Sequence, residues 1–355
     1  MVNRSANLVR AFTANKKTTR NSRKLLEILK SSVRLLIVMQ DNPDPDAIAA
    51  AIALRKLANT TANLRCSFAH GGTIGRGENR ALVRYLNLNL YSCLDIEFDK
   101  FSTIAMVDTQ PGMGNNSLPE GIIPDIVIDH HSLKKLTRSV RFFDVRPRYG
   151  ATSTILLEYL SAAGIILDVP LATSLLYAIR SDTQDLGREA NAADIQAVTL
   201  LFPLANKRML GEIERGSVPR EYFQMLARAL QSARVYSNAI VAHLTDVDTP
   251  DMIAEVADLL LREDNTAWTM CTGFFGEKML ISLRTQDEKN RADLVIKRIV
   301  SRKGTGGGHL SYAGGQIPLD KISDRANRKL EKTVQGRFLK AIHCDSVAGD
   351  NLIKH

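Results

Sequence analysis

From residue 33 onward, short apolar runs alternate with stretches of helical period. Residues 33–39, 64–69, 102–107 and 125–128 are runs of strand length. Apolar positions recur at helical spacing over 46–57, 78–86, 151–164 and 170–179, and through much of 192–214. Strands that alternate with helices in this way build a parallel or mostly parallel sheet. Composition breaks at 216–219, Gly-Ser-Val-Pro, where a linker is expected. Beyond it, 220–236 reads as a connecting helix. A strand at 239–244, a helix at 251–263, a hairpin-like pair at 268–274 and 278–283, and a helix at 291–299 follow, leading into a glycine-rich stretch at 304–308. The expected fold class is α/β. Its parts are a basic extension with a helix (1–32), a mostly parallel α/β domain (33–215), a linker and connecting helix (216–236), a smaller α/β domain (237–345) and a tail (346–355).

Composition changes this picture little. A chain of 355 residues is more than one core comfortably serves, which supports two domains. The apolar run 47–54 falls far short of the ~20 residues a membrane span needs, and no signal-peptide pattern opens the chain, so no membrane partner is expected. Cys66, Cys93, Cys271 and Cys344 form no CxxC pair and read as reduced thiols, which points to a cytoplasmic protein. Charge is more informative. Residues 1–34 hold nine Lys or Arg against Glu27 alone, so this arm carries +8 of the net +9. The body is therefore not a basic nucleic-acid platform. The arm fits a solvated extension ending in a helix better than an RNA-attracting arm, and an organelle transit peptide has a similar composition.

Chemistry concentrates where strands end. The first strand runs into Asn42-Pro43-Asp44-Pro45-Asp46, the strand 102–107 into Asp108, and the strand 125–128 into Asp129-His130-His131. The helix 170–179 leads to Asp182. In open α/β sheets ligand sites lie beyond the carboxyl ends of the strands. A single Asp there is an ordinary cap or turn residue, and Asp46 alone fits a cap. Five acids and two histidines converging on one edge repel one another unless cations sit among them. Carboxylate and imidazole without thiolate suit Mn²⁺, with Mg²⁺ or Co²⁺ as substitutes.

In order and spacing these segments resemble the DHH phosphoesterase superfamily. Gly306-Gly307-Gly308-His309, followed by Tyr312-Ala313-Gly314-Gly315, is similar to the signature of its associated C-terminal domain in the RecJ exonuclease and nanoRNase branches. The resemblance covers about residues 33–320 and implies two divalent ions in a cleft between two domains. It implies that Asp44 binds the first ion and Asp46 the second, that Asp108 bridges them, and that His130 and Asp182 complete the second site. Asp129 is implied as an orienting group and His131 as the group facing the phosphate. Arg284 and His309 resemble a substrate-phosphate clamp. In one departure, Gln40 stands where the superfamily usually has a histidine. An amide oxygen is a poorer ligand than imidazole, so a weakened first site in an active enzyme is expected. Asp41 is no substitute, because strand alternation turns it away from the face of Gln40 and Asn42.

The resemblance implies hydrolysis of phosphodiester or phosphomonoester bonds in small nucleotides or short oligonucleotides. Trimming of short oligoribonucleotides and removal of the 3′-phosphate of 3′-phosphoadenosine 5′-phosphate are the preferred cases. A nearly neutral body argues against a RecJ-like exonuclease on long strands, which needs an electropositive track. Cyclic or linear dinucleotide cleavage is a closer alternative, and a nucleotide sensor disabled by Gln40 is another. Inorganic pyrophosphate or polyphosphate hydrolysis belongs to relatives with a different second domain, and the Gly-Gly-Gly-His stretch speaks against it. Gly306, Gly307 and Gly308 permit close backbone approach to a phosphate. Arg76, after the Gly71-Gly72 turn, fits a substrate contact and an ordinary surface loop equally. His243 and Trp268 lie in apolar strand patterns and are expected to pack. A homodimer stays open as a partner.

Overall fold

The computed structural model describes residues 16–287, 291–308, 310–319, 323–344 and 348–353. The chain divides between Ser217 and Val218 into two compact units. In the first, β1 (Arg34–Val38), β2 (Arg65–His70), β3 (Leu90–Ser92), β4 (Thr103–Val107), β5 (Ile126–Asp129) and β6 (Phe142–Val145) form one sheet in the order β3-β2-β1-β4-β5-β6. Every adjacent pair is parallel. The order reverses between β1 and β4, and the crevice beyond the carboxyl ends of two such strands is the natural ligand position.

Leu35 and Ile37 of β1 join the larger core, whereas Leu36 and Val38 join a smaller one on the opposite face. All four are fully buried, so β1 is apolar at successive positions where a one-sided strand would alternate. Helix α1 spans Lys16–Lys30, α2 Pro45–Ala62, α3 Gly77–Tyr85, α4 Thr152–Ala162, α5 Val169–Asp182, α6 Ala192–Leu201 and α7 Lys207–Glu214. Helix α2 is apolar around most of its circumference and packs on α4 and α5. A helix of that kind is stable only when enclosed. Its alanines let the neighbouring helices approach closely.

Helix α1 corrects the expectation of a solvated arm from Lys16 onward, while residues 1–15 of that arm lie outside the described residues. Leu25, Ile28 and Leu29 enter the main core, and Thr18 is fully buried. Lys17 pairs with Asp144 at 2.6 Å. Much of 192–214 is helical, as expected, in two helices interrupted at Pro203 and restarted by the Asn206 cap, whose side chain accepts from the Met209 N–H. One further expectation changes. The connecting helix stops at Ser232, and residues 234–236 are a strand.

The second unit carries α8 (Arg220–Ser232), β7 (Arg234–Tyr236), β8 (Ala239–Asp246), α9 (Asp251–Leu260), β9 (Trp268–Phe275), β10 (Lys278–Thr285), α10 (Ala292–Val300), β11 (Thr305–Gly308), β12 (Tyr312–Pro318), α11 (Asp324–Ala341) and β13 (Asp350–Asn351). Its mixed sheet runs β11-β12-β10-β9-β8-β7-β13. Helices α8 and α9 cover one face, and α10 and α11 the other. Trp268 packs edge-on to Phe338 with ring centres 6.1 Å apart, as its apolar context predicts. Burial lowers the His243 pKa, and its Nδ1 lies 2.6 Å from Thr272 Oγ1. All four cysteines are free, and burial pushes Cys66 and Cys93 up to about 11. No helix among the described residues is long and apolar enough to cross a membrane.

Candidate metal centre

The loop after β1 is shaped by its own residues. Asn42 takes a left-handed conformation, with φ 54°. Asp44 then caps α2, its Oδ1 accepting from the Ala47 N–H at 2.9 Å with Pro45 starting the helix. The cap is thus Asp44 and not Asp46. Asp46 lies in the first turn and turns inward, where its two oxygens accept from the Thr152 and Ser153 N–H groups at 2.6 and 2.8 Å. Those groups open α4, so a helix N-terminus holds this buried carboxylate. Gly71 stands against the same loop, where an added Cβ would lie 2.0 Å from Asp41 Oδ1. Asp41 itself accepts from Ser117 at 2.8 Å.

Strands β4 and β5 deliver the next groups. Asp108 also has a left-handed backbone, with φ 59°, and its Oδ1 accepts from Thr152 Oγ1 at 2.9 Å. The same oxygen lies 3.5 Å from His130 Nε2. His130 Nδ1 lies 3.1 Å from the Tyr149 carbonyl, which makes Nδ1 the donor and leaves Nε2 with a lone pair facing Asp108 and Asp182. Asp182 Oδ2 is 3.3 Å from that nitrogen. Ligand atoms of Asp46, His130 and Asp182 lie within 4.8 Å of one another, as do those of Asp108, His130 and His131.

Asp129 plays a different part. It is fully buried, and it accepts from the His131 N–H at 3.1 Å and from Gln110 Nε2 at 2.6 Å. His131 Nδ1 sits 2.8 Å from Asp129 Oδ1. Burial works to raise the Asp129 pKa, but the His131 hydrogen bond and charge outweigh it and hold the group down to about 2. Asp108, Asp182 and Asp44 behave in the opposite way. Burial first, then the charges of Asp46 and Asp44, push Asp108 and Asp182 well above the usual carboxylate range. Asp44 rises for the same reasons. A divalent cation among them would relieve that repulsion.

Gln40 is in the cluster, but as a donor. Its Nε2 lies 2.8 Å from Asp44 Oδ2 and 3.4 Å from Asp108 Oδ2, while its Oε1 accepts from Asn115. The donor set of Asp46, His130 and Asp182 fits a divalent ion, with Asp108 Oδ1 beside it, 3.5 Å from His130 Nε2. The set around Asp44, Asp108 and Gln40 fits one less well, because an N–H group points into it.

Other predicted residues stand elsewhere. Arg76 precedes α3, 3.8 Å from Glu78. Arg284 pairs with Asp258 and lies over Tyr312, 5.8 Å from the ring centre. Gly306, Gly307 and Gly308 are not a loop but an edge strand paired with β12. Gly308 has to be small, since an added Cβ would lie 2.3 Å from the Tyr312 carbonyl. His309 lies outside the described residues. Sequence reasoning missed Thr152, Ser153, Gln110, Tyr149 and Asn115. The polar run Thr152-Ser153-Thr154 opening an otherwise apolar helix was the one local signal.

Residues 34–179 match the model of the DHH family, N-terminal domain, and residues 237–336 that of the DHHA1 domain. An uncharacterized protein of Methanocaldococcus jannaschii is 36% identical over 315 residues, covering 87% of this chain; the chain spans 64% of that relative's length. Among solved structures, an exopolyphosphatase-related protein from Bacteroides fragilis has a TM-score of 0.68 at 14% identity, covering 93% of this chain and 99% of the other. RecJ from Thermus thermophilus in complex with Mn²⁺ has a TM-score of 0.51 at 15% identity, covering 94% of this chain and 56% of the other. With one family model on each unit, the chain belongs to the DHH family, a DHH-family N-terminal domain followed by a DHHA1 domain.

Proposed function

We propose that the chain is a divalent-metal-dependent phosphoesterase, with Mn²⁺ as the preferred ion, that hydrolyses phosphoester bonds in short oligoribonucleotides or in 3′-phosphoadenosine 5′-phosphate. The observation that carries this reading is the cluster of Asp46, Asp108, His130 and Asp182 at the sheet's carboxyl edge, where burial and neighbouring charge raise the pKa values of Asp108 and Asp182. When bound, divalent ions polarise water and offset charge on the phosphoryl oxygens.

The chain's own groups do the rest. The N-terminus of α4 and the Thr152 hydroxyl hold Asp46 and Asp108 in place. The Tyr149 carbonyl orients His130 so that Nε2 faces the acids. Ionised Asp129, itself held by Gln110, fixes the orientation of the His131 ring through Nδ1. His131 is 19% exposed in its side chain, so its Nε2 is the group for a proton to the leaving oxygen or a hydrogen bond to the phosphate. In the second unit, Arg284 and the backbone of Gly307 are proposed phosphate contacts. An added Cβ at Gly307 would meet nothing within 4 Å, so its glycine is not required by packing.

The fold likeness to an exopolyphosphatase-related protein favours a second reading, hydrolysis of inorganic polyphosphate. One screen separates them. Labelled di- and trinucleotides, 3′-phosphoadenosine 5′-phosphate, cyclic dinucleotides, pyrophosphate and tripolyphosphate are offered with Mn²⁺. Turnover of the nucleotides is expected. Turnover confined to the inorganic substrates refutes the nucleotide assignment, and binding without any turnover identifies a sensor.

A further inference from the structure

We infer that this centre rests with a single divalent ion, held by Asp46, Asp108, His130 and Asp182, because Asn115 locks the Gln40 amide into the other half as a hydrogen-bond donor. The inference rests on the metal reading above and adds what this chain does with it.

The orientation of Gln40 follows from a directional chain of hydrogen bonds. Asn116 Nδ2 donates to Thr109 Oγ1 at 3.0 Å and also to the Gln110 carbonyl at 3.0 Å. Thr109 Oγ1 donates onward to Asn115 Oδ1, at 2.7 Å. Asn115 Nδ2 then donates to Gln40 Oε1 at 3.1 Å. That leaves the Gln40 NH₂ facing Asp44 and Asp108. The loop bearing Asn115 is pinned to the metal loop, since the Asp41 N–H donates to the Asn115 carbonyl at 2.7 Å.

A nitrogen that carries two protons offers no lone pair to a cation. For Gln40 to ligate, its amide must turn over. Its oxygen would then face two carboxylates and its NH₂ would face the Asn115 NH₂, so favourable contacts at both ends become repulsive. The amide thus takes up, as a neutral donor, part of the electrostatic role of a second ion. Asn115 is a positioning residue for this state, with Thr109 and Asn116 behind it.

The test uses the full chain, stripped by a chelator and titrated with Mn²⁺ by calorimetry and electron paramagnetic resonance. Wild type is expected to bind one ion at least tenfold more tightly than any second, with a mononuclear signal. Gln40→His is expected to bind two ions and show an exchange-coupled signal. Asn115→Leu frees the amide to turn and is expected to raise affinity for the second ion by about tenfold, the lower end of what ligand-orienting groups typically contribute. First-ion affinity and circular dichroism should stay unchanged, which identifies a folded variant. Two equivalent, coupled ions in wild type would overturn the inference while leaving the metal reading intact. Unchanged or reduced second-ion affinity in Asn115→Leu would equally overturn it. Absence of Mn²⁺ binding altogether would refute the metal reading itself.

Discussion

Replacing Arg146 with Met should show how firmly helix α1 is tied to the rest of the first unit. The guanidinium is 4% exposed and sits between Asp144, fully buried, and Glu158, 3% exposed. It donates to Asp144 Oδ2 at 2.6 Å, to Glu158 Oε2 at 2.8 Å and to Thr18 Oγ1 at 2.5 Å. Met keeps much of the side chain's volume but removes the charge. Lys17 still pairs with Asp144, and Thr18 and Tyr149 still donate to Glu158, yet two buried carboxylates lose their shared cation. Breaking a buried pair in this way costs ~3–5 kcal/mol. At roughly 2–4 °C per kcal/mol for a unit of this size, Tm should fall by about 6–20 °C. Scanning calorimetry and urea unfolding measure it. Arg146→Met/Glu158→Leu should recover part of the loss by removing one stranded charge. A loss under ~1 kcal/mol, the worth of an exposed pair, would refute the buried-network reasoning.

Asp108→Ala should lower turnover by more than about a hundredfold, beyond what loss of a ligand-orienting group costs, with circular dichroism unchanged. Retention of most of the rate would remove Asp108 from the reacting centre. Saturating Mn²⁺ should stabilise the stripped protein by ~2.7 kcal/mol at a hundredfold excess over Kd, and Asp46→Asn with Asp182→Asn should abolish that rise in Tm. Asp144 has a lowered pKa because the Arg146 and Lys17 contacts outweigh the cost of burial. Its contribution is therefore present above the ordinary carboxylate pKa of about 3.9 and lost as pH falls below it. The stability gap between wild type and Asp144→Asn should accordingly be flat at neutral pH and shrink in acid; a gap independent of pH would contradict the assignment. Gly315→Val should destabilise the second unit by ~1–3 kcal/mol, judged by urea unfolding. Even a Cβ there would lie 2.8 Å from Ile296 Cδ1 and Val300 Cγ1.

The sequence by itself determined the parallel sheet, the main helices and the acidic strand ends, because these depend on periodicity and turn chemistry among near neighbours. Asn42-Pro43-Asp44-Pro45 announces a rigid cap wherever it occurs. Only the tertiary structure decided which groups share a site. Asp46 meets Thr152 and Gln40 meets Asp108 across sequence separations of 106 and 68 residues, so their contact depends on strand order and helix docking. Long-range compensation also hid whole elements. Asp144 interrupts the apolar pattern of β6, and it becomes acceptable inside a sheet once Arg146, Lys17 and Tyr159 surround it. Strand β12 looks like a loop because two glycines interrupt it, yet Gly315 is what lets α10 lie against the strand. Helix α11 reads as polar because, of its residues, Val334, Phe338, Leu339 and Ala341 are buried in the core and Leu330 packs against it partly buried. The direction of the Gln40 amide was beyond any local pattern, since three residues on another loop set it.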